Sequence, residues 1–233
     1  MIKITDTQVF GWDAAIRGMR NPMNSWAKSD SRKPEFVMNE EGEMYLGDFV
    51  IGNNDHNLMM RLNKAGTDHR KFMRMIVVYA DITAPLYWFK EFDTYKVGTV
   101  ANSCSTMHTI HKKEFTRDDF SSEHTMCLCE KETPVVYHPS GNTALAPIDV
   151  LDITIMMLNK ARNLYLQTKD KQYWWQMIQL LPSSYNQKRT VMLNYEVLAN
   201  MYKSRKDHKL DEWHEFCDWI RELPYSELIT AKE

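Results

Sequence analysis

Few residues of this 233-residue chain combine type and spacing in a way that could do chemistry. Asn194 and Arg205 lie in the segment TVMLNYEVLANMYKSR, residues 190–205. Read as a helix, their separation is three turns plus about 20°, so an amide and a guanidinium leave one face roughly 16 Å apart along the axis. An Arg near a helix C-terminus is favoured by the helix dipole alone. Asn200 points about 120–140° away and flanks that face. Cys104 could act as a nucleophile or redox partner if its pKa were lowered, or stand as a small isostere of Ser. No adjacent base is evident in the sequence, which favours the isostere. His108 and His111 flank the same loop and read as solvated histidines. Cys127, Cys129 and His124 invite a metal reading. However, C-x-C is not the usual C-x2-4-C spacing and no second Cys/His pair completes four ligands, so no metal is expected.

The composition removes several other chemistries. Eight glycines in 233 residues is about half the usual share. Gly11, Gly18, Gly42, Gly47, Gly52, Gly66, Gly98 and Gly141 all lie at least five residues apart, which excludes a G-x-G-x-x-G dinucleotide fingerprint. Gly42/Gly47 and Gly47/Gly52 have P-loop spacing, but Asp48 and Asn53 follow where that loop needs Lys. A net charge of −2 argues against binding nucleic-acid polymers. The longest apolar run, Met75 to Ala80, is far short of the roughly 20 residues that span a bilayer, and MIKITDTQVF lacks a signal-peptide core. Four cysteines, Cys104, Cys127, Cys129 and Cys217, fit a reducing compartment. A soluble, cytoplasmic protein is expected.

The elements that must position these residues read as an α+β fold in which helices dominate. Residues 21–47 are polar, with Pro22, Pro34 and Gly42, and predict loops and short strands. Leu58, Met59, Leu62 and Ala65 keep helical spacing up to Gly66. FMRMIVVYADI, residues 72–82, predicts a central strand. A helix starting at Pro85, with Thr83 as cap, carries Trp88, Phe92 and Tyr95 until Gly98. Residues 114–144 are turn-rich and predict a hairpin excursion. A long helix follows with Val150, Ile153, Met157, Ala161 and Leu164 on one face, then an aromatic helix at 173–181 that stops before Pro182. Two more helices are expected at 191–205 and 211–223.

Two stretches resemble the flavin-dependent thymidylate synthases. The spacing LP(x11)N(x10)R, here Leu181-Pro182, Asn194 and Arg205, is similar to the C-terminal part of that family. HRKFMRMIVVYADITAP, from His69 to Pro85, resembles its His–strand–Ala-Pro segment, and LMMRLNKAGTDH its preceding helix. The resemblance covers residues 55–108 and 176–216, with 114–144 as a variable insertion in a single domain of residues 1–233. It implies an α+β fold with a central antiparallel sheet and several long helices. It also implies a homotetramer, FAD, the co-substrates NADPH and methylenetetrahydrofolate, and reductive C5 methylation of dUMP. By position, His69, Asn194 and Asn200 would contact the flavin and Arg205 the pyrimidine.

The family signature R-H-R-x-x-S-x-N-E-x-S-x-R-Y falls on TYKVGTVANSCSTM, residues 94–107, and matches it poorly. Thr94 and Tyr95 replace Arg-His, Lys96 keeps a positive charge and Thr99 keeps a hydroxyl. Ala101-Asn102 replace Asn-Glu, Cys104 replaces the second Ser ahead of Ser105, and Thr106-Met107 replace Arg-Tyr. Glu91 stands where a substrate-binding Gln is usual, and Ile178 replaces a further Arg. Lys96 and Thr99 then join the flavin contacts, while Glu91, Cys104 and Ser105 join Arg205 at the nucleotide. Bidentate Arg clamps phosphate well, each charge-assisted bond contributing about 1.5–3 kcal/mol, so the losses at Thr94, Thr106 and Ile178 weaken the phosphate grip. Lys96, Lys188 and Arg189 are cations that could compensate from new positions. The expected activity is an altered C5 modification of a pyrimidine deoxynucleotide. The alternative is a non-catalytic nucleotide-binding or assembly protein on the same scaffold.

Overall fold

A computed structural model describes residues 2–130, 132–137 and 144–231. In chain order the strands are β1 (Lys3–Phe10), β2 (Phe36–Met38), β3 (Met44–Leu46), β4 (Val77–Pro85), β5 (Val100–Ser103), β6 (Val136–Tyr137), β7 (Ala144–Leu145) and β8 (Asn186–Asn194). The α-helices are α1 (Trp12–Arg20), α2 (Asn53–Lys64), α3 (Leu86–Phe92), α4 (Thr106–Thr109), α5 (Pro147–Thr168), α6 (Lys171–Leu180), α7 (Tyr195–Arg205), α8 (Asp211–Glu222) and α9 (Glu227–Thr230). The central antiparallel sheet has the order β1-β4-β8-β5, and helix exceeds strand, as an α+β reading requires. Contacts divide the chain into two compact units. Of the described residues, one comprises 2–3, Ile82–Thr94 and Asn102–Arg189, the other Ile4–Asp81, Tyr95–Ala101 and 190–231, so the division falls within β1, β4, β5 and β8.

The strands follow from alternation. Along β4, Val78, Ala80, Ile82 and Ala84 are buried while Tyr79 is exposed, the period of two that a half-buried strand needs. The predicted strand at 72–82 therefore begins later and ends later, after a 3-10 turn over Lys71–Met75. Along β8, Gln187, Val191 and Leu193 are buried, and this alternation overturns the expected helix over 191–194. Asn194 is extended (φ −128°, ψ 164°) and caps α7 from outside, its Oδ1 accepting from the Val197 N–H at 2.9 Å. Asn194 and Arg205 accordingly do not share a helical face.

The unit holding α5 and α6 closes around Ile110, Phe115, Phe120, Ile155, Leu158, Ala161 and Met177. The expected face of α5 holds only at its C-terminal end, where Ala161 is buried and Leu164 half-buried; the other buried residues are Ile155 and Leu158. Val150, Ile153 and Met157 instead stay 46%, 43% and 53% exposed, beside Met156 at 70%. Helix α3 needs no Thr83 cap, because its first N–H groups, on Leu86 and Tyr87, donate to the carbonyls of Tyr185 and Ser183 at 3.0 Å each. It ends at Phe92, leaving Tyr95 outside. Strands β6 and β7 pair antiparallel as the hairpin expected within 114–144. Lys131 and residues 138–143, Gly141 among them, lie outside the described residues. Cys127 and Cys129, which the reading of a reducing compartment left as thiols, form a disulfide: the turn in which Glu130 N–H donates to Cys127 O brings their Cα atoms to 5.4 Å. Cys104 is an exposed thiol and Cys217 a buried one. Among the described residues no group of three His, Cys, Asp or Glu could hold a metal, and no helix is long and apolar enough to cross a membrane.

The second unit is organised on α7, which is buried nearly all round from Tyr195 to Tyr202, and on α2, which ends as expected ahead of Gly66 (φ +106°). Residues 21–47 are short 3-10 turns and the β2–β3 hairpin, as predicted. They are anchored by Asp55, which is wholly buried. Its carboxylate accepts from Arg20 Nε at 2.6 Å, Ser29 Oγ at 2.6 Å, Ser31 Oγ at 2.7 Å and the Asp30 and Ser31 N–H groups at 3.2 Å. Burial pushes this carboxyl up, but the bonds from Ser29, Ser31 and Arg20 outweigh it and hold it below the usual range.

Candidate functional site

Arg205 sits in the last turn of α7, where Tyr95 and Trp213 shape its surroundings within the same unit. Its Nε donates to Tyr95 Oη at 2.9 Å, and its guanidinium carbon lies 4.8 Å from the Trp213 ring centroid and 5.6 Å from that of Tyr95. Trp213 is fully buried on α8 and meets Tyr95 edge-on, with centroids 6.3 Å apart. A guanidinium bonded to a tyrosine hydroxyl and resting against a buried indole keeps its charge and loses little orientation when it binds, because its plane is already held. Neither ring stands out in the sequence. Tyr95 reads there as part of a helix, and Trp213 only as part of the α8 apolar stripe.

The loop over residues 95–99 is held against the start of α7. Asn194 Nδ2 donates to Gly98 O at 3.5 Å. Gly98 has φ +78°, and a Cβ there would come within 2.5 Å of Asn194 Nδ2, so this approach requires glycine. Thr99 Oγ1 donates to the Tyr95 carbonyl, and Lys96 is exposed. Asn194 and Thr99 thus direct these hydrogen bonds to backbone.

A second polar group lies one face further round α7. Arg70 is 4% exposed, and its Nε lies 2.7 Å from Glu196 Oε2 and 2.9 Å from Oε1, while its Nη2 donates to Asn200 Oδ1 at 3.4 Å. Its Nη1 is buried without a hydrogen-bond partner. Asn200 faces outward with its amide nitrogen still open among the described residues, and His69, next to Arg70, is exposed. Sequence reasoning missed Arg70 and Glu196. The available signal was a cation immediately after His69 inside the matching block.

The remaining candidates belong to the other unit. Glu91 is half-buried on α3 and its carbonyl accepts from Thr94 N and Oγ1. Cys104 is exposed and pinned by its backbone: its N–H donates to Lys188 O at 2.9 Å and its carbonyl accepts from Gln187 Nε2 at 2.8 Å. Ser105 caps α4, accepting from the His108 N–H at 3.2 Å. Arg189 is already engaged by Asp93 (2.7 Å), Gln187 (3.0 Å) and the Phe89 ring (3.8 Å), which removes it as a spare phosphate cation. His111 is not solvated as expected: its ring packs edge-on against Tyr165 with centroids 5.1 Å apart, and its carbonyl accepts from Arg162.

No family model and no curated protein matches the sequence. Solved structures do. Two crystal structures of the flavin-dependent thymidylate synthase ThyX from Helicobacter pylori, each with FAD and dUMP, are similar to it at TM-scores of 0.62 and 0.63. Each is 15% identical, and the match covers 97–98% of this chain and 96% of the other. This chain has the ThyX fold. The UMP/dUMP methylase PolB from Streptomyces cacaoi, bound with 5-Br UMP, shares that fold at a TM-score of 0.57 and 11% identity, over 99% of this chain and 93% of PolB. The fold expected from the two short motifs therefore holds across nearly the whole length, including the α+β class and the antiparallel sheet. At this identity the likeness to ThyX speaks for the fold, and residue roles must come from the side chains present.

Proposed function

We propose that this chain is a flavin-dependent pyrimidine-nucleotide enzyme of divergent ThyX type. It would carry out reductive C5 methylation, or a related C5 modification, of a deoxynucleotide such as dUMP. The observation that carries the reading is Arg205, a guanidinium bonded to the Tyr95 hydroxyl and resting against Trp213, with its orientation set before any ligand arrives. Neighbours of the same fold hold FAD with dUMP, or a UMP analogue, which supports a nucleotide ligand. Bound FAD would supply hydride transfer, with NADPH and methylenetetrahydrofolate as co-substrates. The donors present suit it: Asn200 keeps an open amide N–H2, and Arg70 keeps an orphaned N–H. His69, Lys96, Thr99, Asn194 and Asn200 are the flavin-side residues in this reading, and Glu91, Cys104, Ser105 and Arg205 those of the nucleotide. Arg205 polarises a pyrimidine carbonyl and stabilises the charge that develops there. In the same reading the protein is cytoplasmic and a single-domain homotetramer, with the exposed apolar face of α5 supporting subunit contact.

Arg205→Lys tests the reading. Lysine keeps the charge and loses the planar fork, so dUMP affinity, measured by calorimetry, should fall at least tenfold, the scale of one charge-assisted hydrogen bond. Unchanged affinity would remove Arg205 from the site. One observation favours a second reading, a non-catalytic nucleotide-binding or assembly protein: Arg189 is committed to Asp93, while Thr94, Thr106 and Ile178 carry no charge. That protein would bind dUMP without turnover in the presence of both co-substrates.

A further inference from the structure

In the unit organised on α7, a cavity of about 440 Å³ is lined by Asn63, Lys64, Gly66, Thr67, Arg70, Lys203 and Ala231. Three of these seven residues are cations and none is acidic. Lys64 and Lys203 are exposed and make no ion pair among the described residues. Arg70 and Asn63 are 4% and 2% exposed, and each has a buried atom without a hydrogen-bond partner, Arg70 Nη1 and Asn63 Oδ1. Asn63 Nδ2 is fixed on Leu228 O at 2.7 Å and Arg70 Nε on Glu196, so neither side chain can turn to satisfy its open atom without giving up a bond. A buried charged donor left open is unfavourable, which is a reason to look for the ligand that closes it.

We propose that this cavity is a phosphoryl-binding subsite for a phosphorylated sugar. Arg70 and the two lysines supply charge and N–H donors to phosphoryl oxygens, while Asn63 Oδ1 and the Thr67 hydroxyl accept from, or share with, sugar hydroxyls. The subsite stands on the cavity alone and requires no flavin. Mononucleotide and dinucleotide ligands both carry the required group, and inorganic phosphate carries its anionic part.

The test uses the full chain and the Lys64→Met/Lys203→Met double variant, which keeps the aliphatic stems and leaves the buried Arg70 pair intact. Lys160→Met, on α5, is the charge control. Binding of inorganic phosphate, dUMP, FMN and FAD is measured by calorimetry at fixed ionic strength. The subsite predicts at least a tenfold loss of affinity in the double variant for one or more of these ligands, with the control unchanged. Loss for FAD but not dUMP assigns the subsite to a dinucleotide, and loss for dUMP but not FAD to a mononucleotide. Phosphate or dUMP binding that depends on these lysines in a protein that takes no flavin supports the subsite while defeating the flavin reading. Equal affinities in the wild type, double variant and control for every ligand overturn it, as does the absence of binding to all four.

Discussion

At the scale of single residues, two buried arginines do different work. Arg70 is paired with Glu196 yet keeps one N–H open, whereas Arg20 faces Asp55, whose carboxylate is bonded by Arg20, two hydroxyls and two backbone N–H groups. The closed arrangement is structural, and breaking it strands a buried guanidinium. Asp55→Asn should therefore lose about 3–5 kcal/mol in urea unfolding at neutral pH. The pH dependence has a definite sign. The folded pKa of Asp55 lies below its unfolded value of about 3.9, so its stabilisation is fully present above that pH and is lost as pH falls through the folded value. Wild-type stability should decline on acidification below about pH 4, with a shallower decline in Asp55→Asn. Parallel slopes in the two proteins would contradict this role.

At the scale of elements, β8 and α7 meet at Asn194, and the residue matters there as a cap. Asn194→Ala removes the acceptor of the Val197 N–H and should cost about 1 kcal/mol in stability with or without flavin. Unchanged stability would contradict the capping role. The same junction shows why the sequence was only partly legible. TVMLNYEVLAN holds apolar residues at both helical and strand spacing, and the sheet ladder decides that Val191 and Leu193 alternate with Thr190 and Met192. On α5, hydrophobic residues surround much of the helix, so periodicity alone could not choose between Val150–Ile153–Met157 and the Ile155–Leu158–Ala161 face that packs inside. The elements with clean punctuation, α2 before Gly66, α6 before Pro182 and α8 with its single apolar stripe, lie where spacing placed them. In the candidate site, Arg205 and Asn200 were legible through motif spacing. Tyr95, Trp213, Arg70 and Glu196 were not, because their partners are remote in sequence.

At the scale of the whole molecule, scarce glycine and the ThyX fold are compatible: in the proposed function, nucleotide affinity comes from side-chain cations and amides rather than from a glycine-rich cradle. The apolar α5 face, with Met156 and Met157 outward, should carry subunit contacts. Met156→Glu/Met157→Glu should lower the mass seen in sedimentation without unfolding the chain, and an unchanged mass would move the interface elsewhere. The central claim is that this fold still holds a flavin beside a pyrimidine nucleotide. Its most direct test is the visible absorption of the purified protein titrated with FAD and then with dUMP. A saturable flavin band should appear, which dUMP perturbs in the wild type and fails to perturb in Arg205→Lys. A colourless protein that takes up neither FAD nor FMN would contradict it.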